Sequence, residues 1–89
     1  MHEFTVAQNL LNFLKEFSKR EKIDKIVRIN LSINPYSCLD EEILNFIFSS
    51  LSKGLPKIEK AEIKIKRRQN PGEREIIIEN LEVEVSNGD

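Results

Sequence analysis

The spacing of the hydrophobic residues divides the chain into five segments. In residues 6–20, and again after Asp40, apolar residues recur three and four positions apart, which predicts two amphipathic helices. In residues 23–33, 61–66 and 74–85 the period is close to two, which predicts three strands. The predicted order of elements is therefore helix, strand, helix, strand, strand.

Polar residues set the predicted helix boundaries. Thr5 and Gln8 fit a capping box, in which each side chain satisfies a backbone N–H group of the first turn. The first helix is then expected to begin near residue 6, which leaves residues 1–3 outside it. Asp40 is a favourable N-cap for the second helix, and Gly54 is a favourable stop signal.

The strands differ in how their apolar residues alternate. In the first strand the residues expected to face the core are Ile23, Val27, Ile29, Leu31 and Ile33. In the last strand the alternation changes near Glu79 and Asn80, which predicts a bulge or bend there. One apolar face and one polar face are typical of a sheet that helices cover on one side only.

These elements predict one two-layer α+β domain over residues 1–85, with a polar tail at residues 86–89. Two helices should cover one face of a three-stranded sheet. A right-handed crossover should make the first two strands parallel. The last strand follows a turn at residues 69–73, so it is expected to pair antiparallel with the second strand, and its apolar sequence favours a place between the other two.

Composition narrows the function classes. The chain has 14 basic and 15 acidic residues, so it offers no overall field for nucleic acid or an anionic membrane. It has no apolar run of the roughly 20 residues that a membrane-spanning helix needs, and no signal-peptide pattern at its start. The single cysteine, Cys38, cannot form an internal disulfide, which fits a reducing cytoplasm.

Few residues offer catalytic chemistry. There is one histidine, and the chain has neither a glycine-rich phosphate loop nor a nucleophile spaced with a base, so an enzyme is not expected. The acidic run at residues 40–42 is explained by a helix N-terminus. Cys38 is interpreted as a small, partly buried residue near a turn, with a metal-binding thiolate as the alternative. The basic stretch from Lys64 to Arg68 is interpreted as a solvated hairpin, with a phosphate contact as the alternative.

His2 stands out because of its position. The Met1 amine, the His2 amide and the His2 imidazole can form fused chelate rings around one metal ion, and the Glu3 amide can complete a plane of four nitrogens. Square-planar nitrogen coordination suits Ni(II) or Cu(II). The amides must lose protons to bind, so such a site strengthens as the pH rises.

Comparison along the chain strengthens the nickel hypothesis. The opening at residues 1–8, Met-His-Glu-Phe-Thr-Val-Ala-Gln, resembles the start of HypA-type (HypA/HybF) hydrogenase nickel-incorporation proteins. Residues 25–31, the helix at residues 40–48 and the Lys-Gly-Leu-Pro at residues 53–56 resemble the following family segments. The strands at residues 61–65 and 76–84 are also similar to those of the family, so the resemblance extends to about residue 85.

The chain departs from the family between its last two strands. There the family carries a zinc-binding insertion with two Cys-x-x-Cys pairs, whereas residues 67–73 contain no cysteine or histidine. A tetrahedral structural zinc site needs four such ligands, so structural zinc is not expected.

The resemblance implies a nickel metallochaperone that delivers Ni(II) to a [NiFe]-hydrogenase large-subunit precursor, or to a urease precursor, in the cytoplasm. The implied partner is a HypB-type GTPase, and no nucleic-acid or membrane partner is expected. Met1, His2 and Glu3 would be the nickel-binding residues. Two alternatives stay open: a metal-free protein-interaction module with the same fold, and a small nucleic-acid-binding α+β domain. Homo-oligomerisation is also left open.

Overall fold

A computed structural model describes residues 3–68 and 76–86. The elements follow the predicted order: α1 (Glu3–Arg20), β1 (Lys25–Ile33), α2 (Glu41–Leu51), β2 (Glu62–Arg67) and β3 (Ile76–Glu84). The predicted nickel-binding residues at positions 1 and 2, the turn at residues 69–73 and most of the polar tail lie outside the described residues.

The three strands form one mixed sheet in the order β2-β1-β3. β1 pairs in parallel with β2, as the crossover rule predicts, and antiparallel with β3. The expectation that β3 pairs with β2, between the other strands, is therefore wrong. Side chains of α2 bind the outer backbone groups of β2, so that edge is already occupied, and β1 is the central strand with the most buried residues.

α1 begins earlier than the capping box predicts. Thr5 lies inside the helix and is exposed, and the Gln8 side chain donates forward to Asn12 Oδ1 at 3.4 Å instead of reaching back to an N-cap. Glu3 is the first helical residue, where a carboxylate is favourable near the positive end of the helix dipole. The predicted boundary was wrong because the sequence does not reveal what the Glu3 side chain contacts.

Two bulges interrupt the pairing of β1 with β3. The predicted irregularity near Glu79 is confirmed. Asn80 and Ile78 pair with two consecutive residues of β1, so Glu79 between them has no pairing partner in that strand. A second bulge lies at Val27, between the paired residues Ile26 and Arg28. An extra residue shifts the alternation by one. Val27, predicted to face the core, is therefore only half-buried, and its neighbour Ile26 is buried instead.

Both helices lie on one face of the sheet, and the core fills the space between the layers. The fully buried core residues include Ala7 and Leu14 from α1, Leu44 and Phe48 from α2, and Ile29 from β1. Ile43, predicted to belong to the apolar face of α2, is half exposed. In the described part of the chain, no helix is long and apolar enough to cross a membrane.

Candidate metal-binding N-terminus

Of the three predicted nickel-binding residues, the structure places Glu3 alone. Glu3 begins α1 and is half-buried. Its Oε2 accepts a hydrogen bond from the Asp40 backbone N–H at 2.9 Å. This contact joins the start of α1 to the start of α2. Glu3 therefore has a defined position relative to the start of α2.

The start of α2 has a well-formed N-cap. Asp40 has extended backbone angles, and its Oδ1 accepts from the Ile43 N–H at 2.9 Å. Its carbonyl accepts the Leu44 N–H, the first hydrogen bond of the helix. The N-cap predicted at Asp40 is confirmed. What the sequence did not reveal is that Glu3, 37 residues away, binds the N–H of this same residue.

The first turns of α2 also cover the outer edge of the sheet. The Asn45 side-chain amide accepts from the Ile63 N–H at 2.8 Å and donates to the Ile63 carbonyl at 2.9 Å. Glu41 Oε2 accepts from the Ile65 N–H at 2.7 Å. Glu3, Asp40 and Glu41 thus each hold a backbone N–H group. These three carboxylates therefore have a structural role.

The loop that carries Cys38 is held by Arg67. The guanidinium donates to the carbonyls of Ser37 and Leu39, at 2.7 and 2.8 Å. Leu39 is buried, whereas Cys38, between the two clamped carbonyls, is exposed. The prediction of a partly buried Cys38 is therefore wrong, because the buried residue of this loop is Leu39.

The basic stretch is mostly engaged within the fold. Besides the Arg67 contacts, Lys64 Nζ lies 3.7 Å from a Glu62 carboxylate oxygen, and Arg68 Nη1 lies 3.7 Å from Glu79 Oε1. These nearby carboxylates reduce the positive potential that a phosphate backbone requires. The geometry therefore favours the interpretation as a solvated strand over a nucleic-acid contact.

The helix-free face of the sheet carries a polar network. Arg28 Nη1 donates to both oxygens of Glu82, at 3.0 and 3.2 Å. Asn30 Nδ2 donates to Glu82 Oε2 at 3.0 Å and to Asn80 Oδ1 at 2.7 Å. The hydrogen bond from Asn30 is the largest cause that lowers the pKa of Glu82. Burial opposes it, and the hydrogen bond and positive charge of Arg28 lower the pKa further. A carboxyl group with a lowered pKa stays ionised and is a poor general acid.

Within residues 3–68 and 76–86, no three His, Cys, Asp or Glu side chains gather as a metal site. The predicted nickel site would not need such a cluster, because most of its donors are main-chain nitrogens and the amine of residue 1. The first four N–H groups of an α-helix lie outside its own hydrogen-bond ladder. The earlier start of α1 therefore does not place the Glu3 amide in that ladder.

Comparisons with known proteins agree with the resemblance. The family model described as hydrogenase/urease nickel incorporation, metallochaperone, hypA matches residues 1–83. The hydrogenase maturation factor HypA of Actinobacillus succinogenes is 34% identical over 53 residues, which are 60% of this chain and 47% of that protein. HypA of Methanopyrus kandleri is 31% identical over 68 residues, which are 75% of this chain and 48% of that protein.

One solved structure has the same fold. The solution structure of the Ni metallochaperone HypA from Helicobacter pylori matches with a TM-score of 0.75 and 17% identity, covering 97% of this chain and 100% of that one. The matched region spans about half the length of the curated relatives. Since the family model accounts for nearly the whole sequence, this chain belongs to the HypA family.

Proposed function

We propose that this chain binds Ni(II) as cargo at its first three residues and serves in nickel incorporation during hydrogenase maturation. The family match carries this proposal, because it begins at residue 1 and therefore includes the Met-His-Glu opening. The proposed recipient is a hydrogenase large-subunit precursor in the cytoplasm, and the proposed partner is a HypB-type GTPase. The family description also names urease, which is the second candidate recipient.

The proposed donor set consists of nitrogens from three consecutive residues. The Met1 amine, the His2 amide and imidazole, and the Glu3 amide would surround Ni(II) in a plane. Nickel displaces protons from the amides, so the affinity should rise with pH. Transfer to an acceptor would follow from protonation of the same nitrogens, which weakens their hold on the metal.

The Glu3 carboxylate has a separate role in this proposal. Its hydrogen bond to the Asp40 N–H fixes the start of α1 against the start of α2. The carboxylate would thereby position the chelating residues relative to the loop that carries the exposed Cys38, without being a ligand. Glu3→Gln keeps the amide nitrogen and an oxygen acceptor, so it should retain nickel binding.

The test is titration of Ni(II) into protein with its native N-terminus, followed by calorimetry and visible absorbance. His2→Ala should abolish the yellow d–d band of square-planar Ni(II) and leave the circular dichroism spectrum unchanged. Residues added before Met1 should weaken binding, because they convert the amine to an amide, and proteolytic removal of the extension should restore it. Asn12→Ala, at an exposed position of α1, is the matched control.

Two results would change this conclusion. If the extended protein binds nickel as tightly as the native protein, the amine is not a ligand. If His2→Ala also binds nickel normally, the proposed nickel site is wrong, and the proposal of a metal-free interaction module takes its place.

A further inference from the structure

An apolar groove lies at the far end of the helical layer from Glu3. It has a volume of about 340 Å³ and runs between the C-terminal half of α1 and the segment that follows α2. Its lining consists of Lys15, Ser18, Lys19, Leu55, Pro56, Lys57 and Ile58. Lys15, Ser18 and Lys19 are three and four positions apart, so they share one face of the helix. About 14 residues of α1 separate the groove from Glu3, which is roughly 21 Å.

The wall of the groove formed by residues 55–58 is held in place by backbone hydrogen bonds. The Leu55 N–H binds the Ser52 carbonyl at 3.0 Å, and the Leu55 carbonyl accepts from the Ile58 N–H at 2.9 Å. The Lys57 carbonyl accepts from the Ile26 N–H at 2.8 Å, which ties the segment to β1. A ligand would therefore meet a preformed surface and would not have to order a loop.

The floor of the groove is apolar and recessed. Ile58 is 2% exposed, Leu55 is half-buried, and the ring of Pro56 is exposed at the rim. The Ser18 hydroxyl already donates to the Lys15 carbonyl at 3.2 Å. An apolar side chain of a ligand could therefore be buried against this floor without leaving the Ser18 hydroxyl unpaired.

The rim of the groove is positively charged. Lys15, Lys19 and Lys57 are exposed, and within the described residues none of them forms an ion pair, whereas Lys64 and Arg68 on the sheet have carboxylates nearby. No acidic residue lines the groove. The chain as a whole has a formal charge of −1, so this local excess of positive charge is not a general property of its surface.

We propose that this groove binds an acidic segment of a partner protein that carries an apolar side chain. The apolar side chain would occupy the floor, and carboxylates on either side of it would meet the three lysines. A flat bilayer surface cannot reach a recessed floor, which favours a protein segment over a membrane. The proposal does not depend on nickel binding, and its distance from Glu3 lets a bound partner leave the N-terminus accessible.

The test uses a fluorescein-labelled nine-residue peptide that has a central leucine flanked by glutamates, and a second peptide with glutamines in place of the glutamates. Fluorescence anisotropy gives the affinity, and ¹H–¹⁵N NMR shifts locate the peptide. The glutamate peptide should bind, with shifts at residues 15–19 and 55–58. The glutamine peptide should bind about tenfold more weakly, as expected when several exposed charge pairs are lost together.

Two variants separate charge from shape. The double variant Lys15→Glu, Lys19→Glu should lower the affinity for the glutamate peptide by at least about tenfold. The double variant Lys53→Glu, Lys60→Glu makes an equal change of charge outside the groove, and it should change that affinity by less than about twofold. Ser18→Trp keeps the lysines but fills the groove, and should also weaken binding by about tenfold or more. Circular dichroism checks that each variant is folded.

Three results would overturn the proposal. Equal weakening by the two charge reversals would mean a general electrostatic attraction. Peptide shifts outside the groove would assign the binding to another surface. Binding to vesicles of phosphatidylserine and phosphatidylcholine, with no binding of the peptide, would make the groove a lipid-contact surface instead.

Discussion

The first turns of α2 and the helix-free face of the sheet are both rich in polar residues, but their contacts differ in kind. Around α2, Asp40, Glu41 and Asn45 bind backbone groups that are fixed in the fold. On the helix-free face, Arg28 and Glu82 bind each other's side chains in solvent. The same kinds of residue therefore bind the backbone in one region and bind only other side chains in the other.

The difference has an energetic consequence. When a side chain that binds a buried backbone group is removed, that group is left without a partner, at a cost of about 1–3 kcal/mol. When one member of an exposed ion pair is removed, the other turns to water, and the cost is about 0–1 kcal/mol. Stability should therefore respond more to substitutions around α2 than to those on the helix-free face.

The largest effect is expected at Asn45. Asn45→Ala removes both partners of the outer backbone groups of Ile63, a residue with 0% exposure. The free energy of unfolding should fall by about 2 kcal/mol, which corresponds to a melting temperature lower by roughly 10 °C. Urea unfolding followed by circular dichroism measures both the midpoint and the slope.

Asn12→Ala provides the matched control for this prediction. Asn12 is an exposed helical asparagine whose amide oxygen accepts only a long 3.4 Å contact from Gln8 among the described hydrogen bonds. Its substitution should change stability by less than about 0.5 kcal/mol. Equal losses in the two variants would show that the Asn45 contacts with β2 have no special value. Self-association of the Asn45→Ala protein would indicate instead that the uncovered strand edge pairs between molecules.

The N-cap should give the next largest effect. Asp40→Ala leaves the Ile43 N–H without its acceptor and should cost about 1 kcal/mol, whereas Asp40→Asn keeps an oxygen in place and should cost only a few tenths of that. The Glu3 contact survives in both variants because it uses the main chain of residue 40. Thermal unfolding of the two proteins side by side measures the difference. Equal melting temperatures of the two variants would show that the hydrogen bond from the Ile43 N–H to the residue 40 side chain does not contribute to stability.

The local features of this fold and its parallel crossover were predictable, whereas the place of β3 in the sheet was not. The N-cap at Asp40 and the bulge at Glu79 follow from residues close in sequence, and both are confirmed. The position of β3 depends on which edge of the sheet is occupied, and that is decided by the contact of Asn45 with Ile63, 18 residues further along the chain. No periodicity in either segment reveals such a contact.

The same division applies to the candidate site. The Met-His-Glu opening could be proposed as a metal-binding sequence from the sequence alone, because the proposed donors belong to consecutive residues. The role of the Glu3 carboxylate was not, because its partner is the backbone of a residue 37 positions away. A backbone donor has no signature in the sequence, so the start of α1 could not be placed from the capping pattern at Thr5 and Gln8 alone.

The smallest effect should come from the helix-free face, where it appears as a pH dependence. Asn30 and Arg28 hold the pKa of Glu82 below its ordinary value, so the unfolded chain takes up this proton first as the pH falls. The stabilisation is complete above the ordinary pKa of about 4.5 and is lost as the pH drops through the lower folded value. Asn30→Ala should raise the pKa of Glu82, measured by carboxyl ¹³C NMR titration, while Asn12→Ala should leave it unchanged. If Asn30→Ala also leaves it unchanged, Arg28 alone sets that pKa.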